Sequence, residues 1–330
     1  MTMRDRTSEI AEVKDRNPYG NRFGSYGFQR LRSDWQRTRS DKACTPDFYI
    51  IRAVTVLEVF TRTNVAELVD HGPEYANRAL EFSKNLKIDY ALVQSIQGRV
   101  VTLGDVVAHS VSVNSFGQML GYFEILLDKK PLRSSLTSAV DRWATEIEQK
   151  PAEPIISDFD AMAACLGKLF EARHILCHEM PRKAPYSESE IDAFLTEAFR
   201  FTKALEEVVT FARFGLVPLT QTEMNVSAHE ALRKRESELE EVVQSVKAAV
   251  TRDGASISGA GRGRDGKSWL ECFDEAQKQW LAYRNAHTEF DTYSSRGGTI
   301  HPTLWAGEAT KLTEVRLAEL RGWLKHEADP

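Results

Sequence analysis

An all-α fold is predicted by three observations. Apolar residues recur at three- and four-residue steps along most of the chain, helix-start signals open most of those runs, and nothing before Gly215 alternates with the period of two that a half-buried strand needs. With 330 residues, 42% of them hydrophobic and 28% charged, and only eleven prolines, the chain is globular rather than disordered. At roughly 100–200 residues per domain, two domains are expected.

Residues 1–44 carry Arg4, Arg6, Arg16, Arg22, Arg30, Arg32, Arg37 and Arg39 among Tyr19, Phe23, Tyr26, Phe28 and Trp35, with little apolar periodicity. Arginines interleaved with aromatics can contact phosphates and stack on bases. Acidic residues dilute the charge, and termini are commonly loose, so the expectation is a poorly ordered tail packing locally.

Thr45-Pro46 reads as an N-cap followed by proline at the first helical position. The helix it opens runs through Ile50, Val54, Leu57, Val65 and Leu68 and stops at Gly72-Pro73. Thr102 with Asp105 opens a further segment whose apolar residues run from Phe116 to Leu127, and a shorter helix is expected around Val140 to Ile147. Asp158 caps a helix with the stripe Met162, Leu166, Leu169, Phe170. Ser187-Glu-Ser-Glu190 is a capping box for a long helix ending near Gly215 to Pro218, where the domain boundary is placed.

Beyond it, Thr220 with Glu223 starts a helix carrying Leu232, Leu239, Val242, Val246 and Ala249, and Arg252 to Lys267 reads as a Gly/Ser/Arg loop. The next helix places Trp269, Phe273, Ala276, Trp280, Tyr283 and Phe290 on one face, which reads as bundle core. The last carries Leu312, Val315, Leu320 and Trp323. Domains of 45–217 and 218–330 follow, the second a small helical bundle.

The net charge of −5 excludes an indiscriminate nucleic-acid binder, so any contact with nucleic acid is local. Neither a signal peptide nor a membrane span is supported, and Cys44, Cys165, Cys177 and Cys272 lie far apart without CxxC pairing. Scattered thiols suit a reducing compartment, so a cytoplasmic location is expected. Gly261 to Ser268 satisfies GxxxxGK[ST], but residues 253–260 before it cannot form the buried strand of a phosphate loop, so the match reads as a linker and no cofactor is expected.

The stretch with chemistry is Glu171 to Met180. Arg173, His174 and Cys177 fall where the apolar stripe would continue, and His178 lies one turn beyond His174. Such a face is the floor of a cleft or half of an interface, because arginine is rarely buried without a partner. A structural alternative has Arg173 and His178 capping the last carbonyls of their helix. A metal site is not expected, since zinc needs three or four protein ligands and only Glu171 stands near the two histidines.

Arg173-His174-Ile175-Leu176-Cys177-His178, at the end of a helix in an all-helical domain, resembles the RxxxxH motif of the HEPN superfamily. The resemblance implies a HEPN-like bundle, a metal-independent endoribonuclease acting on RNA, and a homodimer in which two motifs face each other. In it Arg173, His174 and His178 are the catalytic residues. It also suggests a toxin or anti-phage defence effector with an antitoxin or sensor partner. A non-catalytic binding protein whose Arg/His pair stabilises a dimer or holds a phosphate ligand is the other reading.

The run from Asn225 to Trp323 resembles the LprI-type lysozyme-inhibitor family. The carrying residues are Met224-Asn225, Gln277, Trp280, Tyr283-Arg284-Asn285, Gly297-Gly298-Thr299, Thr313, Arg316 and Leu320. The family's cysteines are absent: Ser227, Thr288 and Glu308 stand at or near their places. A recognition or sensing module is therefore expected, with Arg284 as its polar anchor.

Overall fold

The computed structural model describes residues 6–16, 24–41, 44–84, 86, 90–98, 100–129, 131–179, 181–256 and 266–328. Every regular element among them is helical, apart from one isolated bridge pairing Val140 with Pro154. The chain divides into two compact units, Met1–Val217 and Pro218–Pro330.

Among its described residues the first unit holds ten α-helices: α1 (Arg6–Arg16), α2 (Gly24–Thr38), α3 (Pro46–His71), α4 (Pro73–Ala79), α5 (Tyr90–Gln97), α6 (Leu103–Ser110), α7 (Phe116–Leu126), α8 (Arg133–Ser138), α9 (Phe159–His178) and α10 (Glu188–Phe214). The centre is α3. Its buried residues come as adjacent pairs, Ala53/Val54, Val56/Leu57, Phe60/Thr61, Asn64/Val65 and Leu68/Val69. Pairs at that spacing cover more than one face, and a helix apolar on several faces has to be surrounded. Accordingly α2, α4, α6, α7, α9 and α10 all pack on it. Gly104 lets α6 come close: a Cβ there would fall 2.2 Å from the Ala66 carbonyl oxygen. Its N–H donates to Asp70 at 2.8 Å instead.

Three sequence expectations need correction. The first concerns the tail. Phe28, Leu31 and Trp35 form a helical stripe buried in the main core, so residues 24–38 are an integral helix; the arginines on its other faces mask the period. Trp35 Nε1 donates to Asp192 of α10 at 3.0 Å. Arg4, Tyr19, Arg22 and Phe23 lie outside the described residues. The segment opened by Thr102 is two helices, because the chain is extended at Val111 and Ser115 caps a fresh start by accepting from Gln118 N–H. The helix around Val140 to Ile147 is a single π-helical turn, Trp143–Ile147. By contrast, Thr102, Asp158 and Ser187 each accept a backbone N–H as helix caps.

Glu206 on α10 accepts from the Ser25 N–H at 2.8 Å and the Ser25 hydroxyl at 2.6 Å, capping α2 across the core. Burial pushes its carboxyl above the ordinary 4.5, against the two bonds from Ser25 that pull it down. A raised folded-state value means that the folded chain holds the proton more tightly than the unfolded one. Stability from this group is therefore present below the ordinary value and lost as pH rises through the raised one. Glu206→Gln should flatten that fall in urea unfolding measured across the window, leaving the parallel contribution of Glu207, also raised by burial. Identical slopes for the variant and the unmodified protein would show that Glu206 is not proton-linked.

The second unit is a three-helix bundle of α11 (Gln221–Ser256), α12 (Trp269–Asp291) and α13 (His301–Ala328). On α11, Leu239, Val243, Val246 and Val250 repeat at four and three residues. On α13, Ala306, Ala309, Thr313, Leu317 and Leu320 do the same, which is the seam spacing of coiled-coil packing. Gln221 bonds Thr303, Arg235 pairs with Glu314 and Arg321 with Glu238, so α11 and α13 run parallel. Arg284 pairs with Glu236 and Lys247 with Asp274, so α12 runs the other way. The expected apolar face of α12 is corrected. Trp269, Ala276, Tyr283 and Phe290 are exposed, and the inward stripe is Phe273, Gln277, Trp280, Arg284 and Thr288. Helix α11 also continues to Ser256, past the expected loop start.

Candidate functional site

The stripe of α9 that opens with Met162, Leu166 and Leu169 passes through Arg173 and Leu176 at the helix end. Leu176 packs against the core, while Arg173 is half-buried and points toward α3. There its Nη2 meets Glu58 Oε1 at 3.4 Å. Arginine has five N–H donors, and this long contact engages one end of the fork. The partner was not anticipated from sequence. Glu58 is a carboxylate on a helix whose neighbours Leu57 and Phe60 are buried, and that was its only sequence signal.

His174, Cys177 and His178 turn away from the core and are exposed. The two imidazole rings lie side by side, centroids 4.8 Å apart and planes tilted by 44°. Among the described residues neither ring makes a hydrogen bond or an ion pair, and neither Arg173 nor His178 caps a helix carbonyl. The capping alternative is thus corrected. The Glu179 N–H bonds the Ile175 carbonyl and closes the helix without help from side chains. Met180 lies outside the described residues. Among the described residues no group of three or more His, Cys, Asp or Glu side chains converges as a metal site.

The structure therefore brings Arg173, His174 and His178 onto one helix end but in two environments. The guanidinium is anchored in a partly buried ion pair, and the imidazoles are presented on open surface.

In the second unit the residues that carry the sequence resemblance gather into two clusters. Trp280 lies between two guanidiniums, with Arg284 5.7 Å and Arg316 5.8 Å from its ring centre. Arg316 also donates to Gln277 at 3.1 and 3.0 Å. Arg284, 5% exposed, donates to Thr313 at 3.2 Å and to Glu236 at 2.9 Å. At the other end of the bundle, Asn225 donates to the Thr299 carbonyl and accepts from Thr303 and Gln221. Gly297, at φ 84°, makes the turn before α13 in a backbone region that favours glycine. Most of these side chains cross-link α11, α12 and α13, whereas Tyr283 faces outward, stacked on His287.

The GxxxxGK[ST] match follows a helix, α11, with no strand before it among the described residues. Residues 261–265 lie outside the described set. The Ser268 hydroxyl is committed to capping α12, accepting from the Glu271 N–H at 3.2 Å. Among the described residues no helix is long and apolar enough to cross a membrane.

Compared with known proteins, residues 218–320 match the family described as Lysozyme inhibitor LprI, a match that lies within the second unit. An uncharacterized protein of Rhizobium meliloti (strain 1021) is 29% identical over 103 residues, which is 31% of this chain and 73% of that protein. No solved structure matches the chain.

Proposed function

We propose that the first unit is a HEPN-like, metal-independent endoribonuclease that acts as a homodimer. The second unit is then an LprI-like helical module for recognition or sensing, as in an RNA-cutting toxin or antiviral effector of the cytoplasm. The observation that carries this reading is the pair of unbonded, exposed imidazoles beside an anchored arginine at one helix end.

The chemistry follows from those groups. A base removes the proton of the 2′-hydroxyl, that oxygen attacks phosphorus, and an acid protonates the departing 5′-oxygen. Attacking and leaving oxygens stand roughly in line, so acid and base approach from opposite sides. Two imidazoles side by side on one helix approach from the same side. A second copy facing the first supplies the other side, and this is why the dimer belongs to the proposal. His178 then serves as acid or base, His174 orients the scissile phosphate, and the free end of Arg173 meets the growing charge on the phosphorane.

The test is cleavage of end-labelled RNA in excess EDTA, with product termini mapped. The expected products carry 2′,3′-cyclic phosphate and 5′-hydroxyl ends. For the dimer, Cys177 is a built-in reporter, since it is exposed beside the histidines. Cys165 will not compete, as burial and Glu197 push its thiol up to about 11. In a Cys272→Ser background a short bismaleimide should join two chains through Cys177. Absence of both cleavage and cross-link would leave the other reading, a non-catalytic helical binding protein. The Glu58–Arg173 pair favours that reading, because it already gives the arginine a structural partner.

A further inference from the structure

We infer that the groove between α2 and α3 is a binding track for single-stranded RNA. This deepens the ribonuclease reading and rests on it. The cavity holds about 1140 Å³, above the roughly 300–1,000 Å³ of small-molecule pockets. Each wall is one helical stripe: Tyr26, Arg30, Ser33 and Arg37 on α2, and Phe48, Arg52, Thr55 and Val59 on α3. Each stripe spans eleven residue steps, about 16 Å along its helix at 1.5 Å per residue.

The two helices form an antiparallel hairpin whose closed end is pinned by Tyr49. Its hydroxyl donates to Asp34 at 2.9 Å, and its ring meets Trp35 edge-on at 5.1 Å. The track is thereby held open and rigid at one end. Phe48 lies toward that end and Tyr26 toward the other, 51% and 61% exposed, which is unusual for aromatic side chains on walls of a groove.

Charge selects the occupant. The chain is acidic overall, yet this groove is lined by Arg30, Arg37 and Arg52 against one carboxylate, Asp34. Asp34 is already used: bonds from Tyr49 and Arg37 hold its carboxyl below the ordinary range, so it stays ionised and neutralises Arg37. Among the described residues Arg30 and Arg52 have no carboxylate partner, and Arg30 rests near the Tyr26 ring at 6.0 Å. Two unpaired guanidiniums between two exposed aromatic rings are the elements of sequence-tolerant single-strand binding: cations for phosphates and rings for bases. An acidic peptide would use the charges and leave the rings idle.

The track also runs beside the ion pair that holds Arg173. Thr55 on its wall is three residues from Glu58, the partner of Arg173, and such residues are neighbours on a helix surface.

The experiment uses the full chain carrying His178→Ala, so that RNA survives, with a fluorescent oligouridylate as probe and anisotropy as readout across a salt series. Arg30→Ala with Arg52→Ala should weaken binding and reduce the slope of log affinity against log salt by about 1.4, at about 0.7 per single-strand phosphate contact. Phe48→Ala should weaken binding about 5- to 150-fold through lost stacking. Circular dichroism should be unchanged, as these side chains are exposed. Unaltered affinity and slope in both variants would overturn the track. Equal competition by a polyglutamate peptide, insensitive to Phe48→Ala, would overturn it in favour of an acidic protein partner. Failure of the ribonuclease reading looks different: no cleavage by the unmodified chain, with oligouridylate binding still dependent on Arg30, Arg52 and Phe48.

Discussion

His178→Ala is expected to lower RNA cleavage by about 10²–10⁴-fold, the contribution of one acid or base group, while the protein stays folded and still cross-links through Cys177. Because His178 is exposed and bonded to nothing among the described residues, its removal has little structural cost. Arg173→Ala should also abolish cleavage, but it breaks the ion pair with Glu58 as well. Glu58→Ala is the control that separates the two roles. It breaks the same pair from the other side and removes a negative charge beside the substrate phosphate. If Arg173 acts on the phosphorane, Glu58→Ala retains cleavage; if Arg173 is only a structural partner, Glu58→Ala fails with it. Mixing His178→Ala subunits with Arg173→Ala subunits adds a further check. Should a composite site form across the interface, a mixed dimer will show a distinct residual activity. Cleavage by His178→Ala equal to that of the unmodified chain would end the proposal.

The second large effect is expected at Arg284. It lies on the inward stripe of α12, bonded to Thr313 on α13 and paired with Glu236 on α11, so one side chain ties all three helices. Removing one partner of a buried pair costs about 3–5 kcal/mol, because the other is left uncompensated. Glu236 is 41% exposed, so water screens its half of the pair and the lower end applies. For a unit of this size that corresponds to a fall in Tm of about 12 °C or more. Tryptophan fluorescence can follow it, since Trp269, Trp280, Trp305 and Trp323 belong to this unit. Arg284→Lys should restore little, because an ammonium cannot reproduce the planar fork that reaches Glu236, Thr313 and Asn285 together. Arg284→Met combined with Glu236→Leu should recover much of the loss, as apolar replacement of an ion pair is often neutral or better. Equal melting of Arg284→Ala and the unmodified chain would show that the cluster is not structural.

That cluster also bears on register. Thr313 occupies a seam position of α13, and Arg284 reaches it from the antiparallel helix. A polar layer in an otherwise apolar seam penalises any sliding that separates the pair, which is a documented use of buried polar groups in helical bundles. The sequence resemblance is thus explained in large part by internal cross-links. The outward surface of the bundle, including Tyr283, Phe290 and Tyr293, is what remains for recognition.

Most helix starts were legible in the chain. Thr102, Asp158 and Ser187 act within three residues of themselves, accepting an N–H of the first turn, and so does the apolar period that they open. The all-helical class and the Arg173, His174, His178 grouping rest on the same local spacing. Local spacing also misled. It placed Tyr283 and Phe290 in the core of α12, because apolar residues at helical steps look alike whether or not another helix arrives to cover them. It read residues 24–38 as a tail, because Phe28, Leu31 and Trp35 gain a purpose only when α10 and α3 close over them.

The sequence by itself determined where many of the helices start, much of what repeats along them and which residues could carry acid–base chemistry. Only the tertiary structure decided that Arg173 is held by Glu58 while His174 and His178 are left open, and that Arg30 and Arg52 face each other across a groove. The reason is physical. Hydrogen bonds and side-chain period along a helix act over one or two turns, whereas burial, pairing and the opening of a groove depend on which distant helix packs on which face.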